Sequence, residues 1–197
     1  MRLLVALYAL SLAGCCCGGK KPAPAGYTIG SGAPGAPAPP TTPANGVTGW
    51  RVPTTACAYL APEGLGGGGA YKKMGDEWTC ASPGLNLSAP NSAGLANTLR
   101  FFAEGSQAWV GTLKLYANVN VPGQAPALQK RMGELAAQLT QRALGAELPA
   151  DARAALTAGR AGTWRVGGVD ASAGARVTLE RDVWPTGKGF SLRFTIE

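Results

Sequence analysis

Histidine is absent from the 197-residue chain, and that absence closes off most nucleophilic and zinc chemistry. Ser-His-Asp and Cys-His pairs, His-Glu-x-x-His zinc sites and imidazole general bases all require it. Ser-x-x-Lys, the usual signature of lysine-assisted serine chemistry, does not occur either. What remains is a carboxylate pair of the glycosidase kind, with Asp76, Glu77, Glu104, Asp170, Glu180 and Asp182 as candidates. The sequence alone places no two of them at the needed separation, and the chain's 11 carboxylates suit an ordinary solvated surface. The chain therefore reads as non-enzymatic, with no catalytic residue, no metal site and no cofactor. Gly64-Leu65-Gly66-Gly67-Gly68-Gly69 satisfies Gly-x-Gly-x-x-Gly, but it follows no expected strand and opens no βαβ unit. Gly14 to Lys20 mimics a phosphate loop, yet Lys21 stands where Ser or Thr is needed. Asn86-Leu87-Ser88 matches a glycosylation sequon by pattern alone.

The informative cysteine is Cys15. Arg2 precedes a short apolar run, Leu3 to Leu12, which closes on Leu12-Ala13-Gly14-Cys15. A positive n-region, a brief apolar h-region and a small-residue cleavage site make a removable signal, and the run is too short to span a bilayer. This pattern resembles the lipobox of bacterial lipoproteins. The resemblance implies cleavage before Cys15, a diacylglycerol on its sulfur and acylation of its new amino group, so residues 15–17 become the lipidated N-terminus. More than one acyl chain is what makes such an anchor stable. Cys16 follows the lipidated position, which resembles the class of lipoproteins sent to the outer membrane. The expected address is the cell envelope, with the chain anchored by lipid and facing the periplasm.

An even cysteine pair in an exported protein reads as a disulfide, and Cys57 and Cys80 are the only cysteines beyond Cys17. A redox pair would want the close Cys-x-x-Cys spacing, which is missing. Between the anchor and this pair, residues 18–47 hold seven prolines among Gly, Ala, Ser and Thr, with Lys20 and Lys21 the only charges. Such a stretch cannot offset its own ordering entropy and reads as a disordered linker, reaching about 30 Å as a coil and about 90 Å extended. Residues 48–197 then form one domain of ordinary size. Of the 18 Lys and Arg, Arg2, Lys20 and Lys21 lie before it, leaving 15 against 11 Asp and Glu. That mild excess is not the basic stripe of a nucleic-acid binder.

The elements that must position any site come from period and punctuation. Thr54 and Pro62 bracket a short helix around Ala56 to Leu60, the glycines Gly66 to Gly69 make a loop, and Glu77 to Cys80 reads as a strand. Leu99–Glu104 and Ala108–Val121 read as two strands joined at Gly105. In the second, Trp109, Leu113, Leu115, Val119 and Val121 share one face, with Lys114, Tyr116, Asn118 and Asn120 on the other. Leu128, Met132, Leu135, Leu139 and Ala143 recur at helical spacing from Pro126 to Leu144, and a second helix runs from Pro149 to Ala158. Strands return at Thr163–Val166, Arg176–Arg181 and Phe190–Ile196. This order predicts an α+β domain: one antiparallel sheet with helices on one face. It is similar to the element order of bacterial secretion chaperones without their final helix, a likeness of order with no motif behind it.

With Phe101, Trp109, Leu113 and Leu192 facing the helices, the other face would present Arg100, Phe102, Lys114, Tyr116, Asn118 and Arg193. Lys72 and Lys73 after Tyr71, and Trp184 with Lys188, offer loop-borne versions of the same aromatic–cationic chemistry. The binding candidates are Lys72, Lys73, Arg100, Lys114, Tyr116 and Arg193. Their expected partner is a protein of an envelope or secretion assembly. The alternatives are an anionic envelope glycan or lipid head group, met through a basic face, and an inhibitor or immunity protein. No nucleic-acid partner is expected.

Overall fold

A computed structural model describes residues 49–66, 70–168 and 171–197. The signal peptide, Cys15, the linker, Gly67–Gly69 and Asp170 lie outside the described residues. The domain is α+β, with one antiparallel sheet of eight strands. In chain order come α1 (Pro53–Ala58), β1 (Lys72–Met74), β2 (Glu77–Ala81), β3 (Leu85–Asn86), β4 (Thr98–Gly105) and β5 (Val110–Val119). Then follow α2 (Ala125–Leu144), α3 (Ala150–Ala158), β6 (Gly162–Gly168), β7 (Ala171–Val183) and β8 (Phe190–Ile196). The spatial order is β1-β2-β4-β5-β8-β7-β6, with β3 pairing β4 as well.

The sheet sorts its residues by parity. Leu99, Phe101 and Ala103 of β4 are buried, as are Leu113, Leu115, Ala117 and Val119 of β5 and Phe190, Leu192, Phe194 and Ile196 of β8. All join one core with α2, whose Leu128, Met132, Leu135 and Leu139 are fully buried. Those four side chains contribute a gross burial term on the order of 6–12 kcal/mol before the entropy of ordering the helix is subtracted. Pro126 sits in the first turn of α2, where no N–H is needed, and Gly145 ends it with φ +66°. α3 buries Ala152, Ala155 and Leu156, packs against α2 and ends at Gly159, φ +59°. Among the described residues the helices cover one face of the sheet, as the order of elements predicts.

Cys57 and Cys80 are joined, tying α1 to β2 with 6.0 Å between their Cα atoms. β1, which pairs with β2 through a turn at Gly75, takes in Lys72 and Lys73, so these two are strand residues rather than loop residues. The larger correction concerns Trp109. Glu104 pairs with Thr112 and Gly105 with Val110, so Gly111 is an extra, unopposed residue in β5. This bulge shifts the alternation by one position. Val110 is therefore fully buried, whereas Trp109 leaves the helix-covered face and is 42% exposed.

Candidate functional site

The uncovered face is built from cross-strand rungs. Arg100 of β4 lies opposite Tyr116 of β5, which lies opposite Arg193 of β8, which lies opposite Glu180 of β7. The next rung runs Phe102, Lys114, Thr195, Thr178 and Thr163. Side chains directly opposite in an antiparallel pair sit about 5 Å apart at Cβ, so each rung is a contiguous strip. Phe102 and Tyr116 are half-buried in the middle of it, and Ser191 and Thr195 are buried between their longer neighbours.

Two of the predicted cations on this face have carboxylate partners. Lys114 Nζ donates to Glu104 Oε2 at 2.6 Å and stands 5.8 Å from the Phe102 ring centroid. Arg193 Nη2 lies 3.1 Å from Glu180 Oε2. Arg100 has no ion pair or hydrogen bond among the described residues; its guanidinium bends over Gly84, where an added Cβ would lie 3.3 Å from Nε. The face is thus mixed in charge, with Arg100 the candidate cation beside Tyr116 that is left unpaired among the described residues.

Four of the six candidates therefore come together: Arg100, Lys114, Tyr116 and Arg193. Lys72 shares their face further out, on the rung Lys72, Thr79, Glu104. Lys73 lies opposite Trp78 and so has the parity of the helix-covered side. Trp184 is drawn into structure, because its ring covers Gly189, where a Cβ would fall 2.5 Å from its Cζ3. Trp164 covers Gly162 in the same way and donates from Nε1 to Asp151 Oδ2 at 2.8 Å.

The carboxylate candidates scatter. Asp76 and Glu77 are exposed at the β1–β2 turn, Glu104 and Glu180 are ion-paired, and Asp182 shares a face with Glu180. Glu180, Asp182, Ser191 and Arg193 line a shallow groove of about 320 Å³ with Ala161 and Arg181. Among the described residues no group of three or more His, Cys, Asp and Glu could hold a metal ion.

A second aromatic cluster, at the far end of the sheet, was not visible as a cluster in the sequence. The Arg51 guanidinium lies 4.4 Å from the Trp50 ring centroid and 5.3 Å from that of Trp109. Tyr71 Oη donates to the Trp109 carbonyl at 3.4 Å, and the rings of Tyr71 and Trp78 are 6.1 Å apart. Burial, then the nearby Glu104 and Glu77 carboxylates, push the Tyr71 hydroxyl up to about 12, so it stays a donor at neutral pH. The one sequence signal was Gly105 and Gly111 flanking Trp109, a spacing that suits a bulge.

No family model matches the chain, and no curated protein or solved structure matches it.

Proposed function

We propose that this protein is a lipid-anchored lipoprotein of the bacterial envelope whose α+β domain binds a protein partner through the open face of its sheet. Cys15 carries the anchor, residues 18–47 give reach, and the disulfide-tied domain presents the surface. The partner is a protein of an envelope or secretion assembly, and the chain performs no catalysis of its own.

The observation that carries this reading is the strip Arg100, Tyr116, Arg193, Glu180 beside Phe102 and Lys114. Arginine and aromatic side chains are the groups enriched at protein interfaces, where a rigid ring supplies area at small entropic cost. Lys114 and Arg193 already hold carboxylates, which supports a surface of mixed charge over one built for a polyanion. Unpaired Arg100 beside Tyr116 favours a partner that brings a carboxylate to this spot. Contact with anionic glycan or lipid head groups is the second reading; its binding would fall steeply with salt, since the screening length is about 10 Å at 0.1 M.

The test is affinity capture after crosslinking in cells, with radiolabelled palmitate followed in parallel. Wild type should take up label, fractionate with membranes and capture a reproducible protein. Cys15→Ser should lose the label, the membrane fraction and the partner together. Label retained in Cys15→Ser would remove the anchor from Cys15. Capture of envelope glycolipid alone would move the reading to the second one.

A further inference from the structure

β7 runs past its outer neighbour. α3 ends at Gly159, and the Arg160 N–H still donates to Ala155 of that helix, so the chain joins the sheet only at Gly162, opposite Leu179. β7 continues to Val183, paired with β8 alone over residues 180–183. Arg176 exchanges both backbone hydrogen bonds with Glu197, just past the end of β8. The even positions of β7 therefore turn their peptide groups toward β8, and the odd positions turn theirs the other way. Over residues 175–179 the odd positions meet β6; at Arg181 and Val183 the N–H and C=O groups have no partner among the described residues.

This free edge borders the shallow groove. Glu180, Asp182, Ser191 and Arg193 line it from the open face, and Ala161 borders it where β6 begins. Arg193 is taken by Glu180. Asp182 is exposed and has no ion pair or hydrogen bond among the described residues. Ser191, opposite it, is only 7% exposed, yet its hydroxyl has no hydrogen-bond partner there either. Edge strands are ordinarily guarded by charge; β1, at the other edge, is three residues long and carries Lys72 and Lys73. Arg181 gives no such guard, because its guanidinium lies 4.0 Å from the Phe190 ring centroid and donates to the Gly159 carbonyl at 3.3 Å. Val183 is left 58% exposed.

An alternating row of free N–H and C=O groups is matched by another extended backbone. Register fixes what that backbone presents: the residue facing Asp182 points onto the open face, with its Cβ about 5 Å from that of Asp182. The unpaired charge at that point is negative, so a Lys or Arg there complements it. β6 offers a similar backbone pattern along its outer edge, but its open-face side chains, Thr163 and Arg165, include no carboxylate.

We infer that this notch takes an extended basic segment of a partner protein, added to β7 as a short strand through Arg181 and Val183, with a Lys or Arg side chain on Asp182 beside the Ser191 hydroxyl. The inference deepens the reading above and rests on it, since the notch opens onto the same sheet face as the strip of Arg100, Tyr116 and Arg193.

The test uses the full protein purified from membranes in detergent and isotope-labelled for NMR. The probes are two blocked pentapeptides, Thr-Val-Lys-Val-Thr and Thr-Val-Glu-Val-Thr, and the first again with both valines N-methylated. The lysine peptide should move the amide resonances of Arg181 and Val183 and slow their hydrogen exchange. The glutamate peptide should bind about fivefold more weakly, and Asp182→Asn should weaken the lysine peptide about threefold. N-methylation should abolish the shifts, because the valines are the residues that face Arg181 and Val183. No shift at Arg181 and Val183, or equal affinity for the lysine and glutamate peptides, overturns the notch. The broader reading fails separately: capture of glycolipid alone after crosslinking in cells removes the protein partner and the notch inference with it, whereas a captured protein with silent peptides removes the notch alone.

Discussion

Arg142, near the end of α2, does at one residue what helix propensity cannot. Its two Nη groups donate to both carboxylate oxygens of Glu63, at 3.0 and 2.7 Å, and Nη1 also donates to the Tyr59 carbonyl. The hydrogen bond from Arg142 holds the Glu63 carboxyl below its ordinary value of 4.5, with burial opposing it. A lowered carboxyl stabilises the fold above its unfolded value and loses that effect as pH falls through the folded one. Glu63→Gln should therefore lower Tm at pH 7 by about 2–4 °C, for a loss of about 1 kcal/mol, and the gap should close as the solution is acidified below about pH 4.5. Thermal melts across pH check this. Nothing in the sequence joins positions 63 and 142, since their approach depends on where the 3-10 turn Ala61–Glu63 meets the end of α2. Asn97 is a similar case: fully buried, it exchanges two hydrogen bonds with the backbone of Val121, an arrangement only the folded loops reveal.

Elements with strong periods were readable, and elements that rest on pairing were not. The spacing Leu128, Met132, Leu135, Leu139 located α2 almost to its ends, and the alternation from Phe190 to Ile196 located β8 to the residue. β1 and β3 escaped, because strands of three and two residues carry no period of their own. The bulge escaped for a different reason: an alternation counted from Trp109 is consistent with itself, and only the pairing with β4 shows the extra residue at Gly111. The disulfide between α1 and β2 was readable from cysteine count and expected compartment. Closing a loop with a sequence separation of 23 residues stabilises the domain by about 3 kcal/mol in the chain-entropy model. Cys57→Ala with Cys80→Ala should lower the urea midpoint accordingly and steepen the slope, because the unlinked unfolded chain exposes more surface; an unchanged midpoint would mean that the cross-link constrains little in the unfolded chain. Gly159 tests the exit of α3. Its φ of +59° and a Cβ position that would collide with the Gln129 side-chain amide make Gly159→Ala destabilising by about 1–3 kcal/mol, measurable in the same melts.

At the scale of the whole molecule, the sheet order decides what can act as a surface. β8, the last strand, enters between β5 and β7, which sets Arg193 beside Tyr116 and completes the strip on the open face. Sequence parity placed Arg100, Lys114, Tyr116 and Arg193 on one face correctly, but only the register shows that Glu104 reaches Lys114 and that Glu180 stands opposite Arg193, neutralising two of them. A face that looked basic is therefore of mixed charge, which supports the proposed protein partner over an anionic glycan or lipid surface. The measurement that bears most directly on the central claim is photocrosslinking in cells from a benzophenone amino acid placed at Tyr116, with Lys130 on the exposed side of α2 as the comparison site. The account predicts a discrete protein adduct from position 116 that is absent from position 130 and disappears on Arg100→Glu. An adduct from position 130 alone, or one from 116 indifferent to Arg100→Glu, would contradict it.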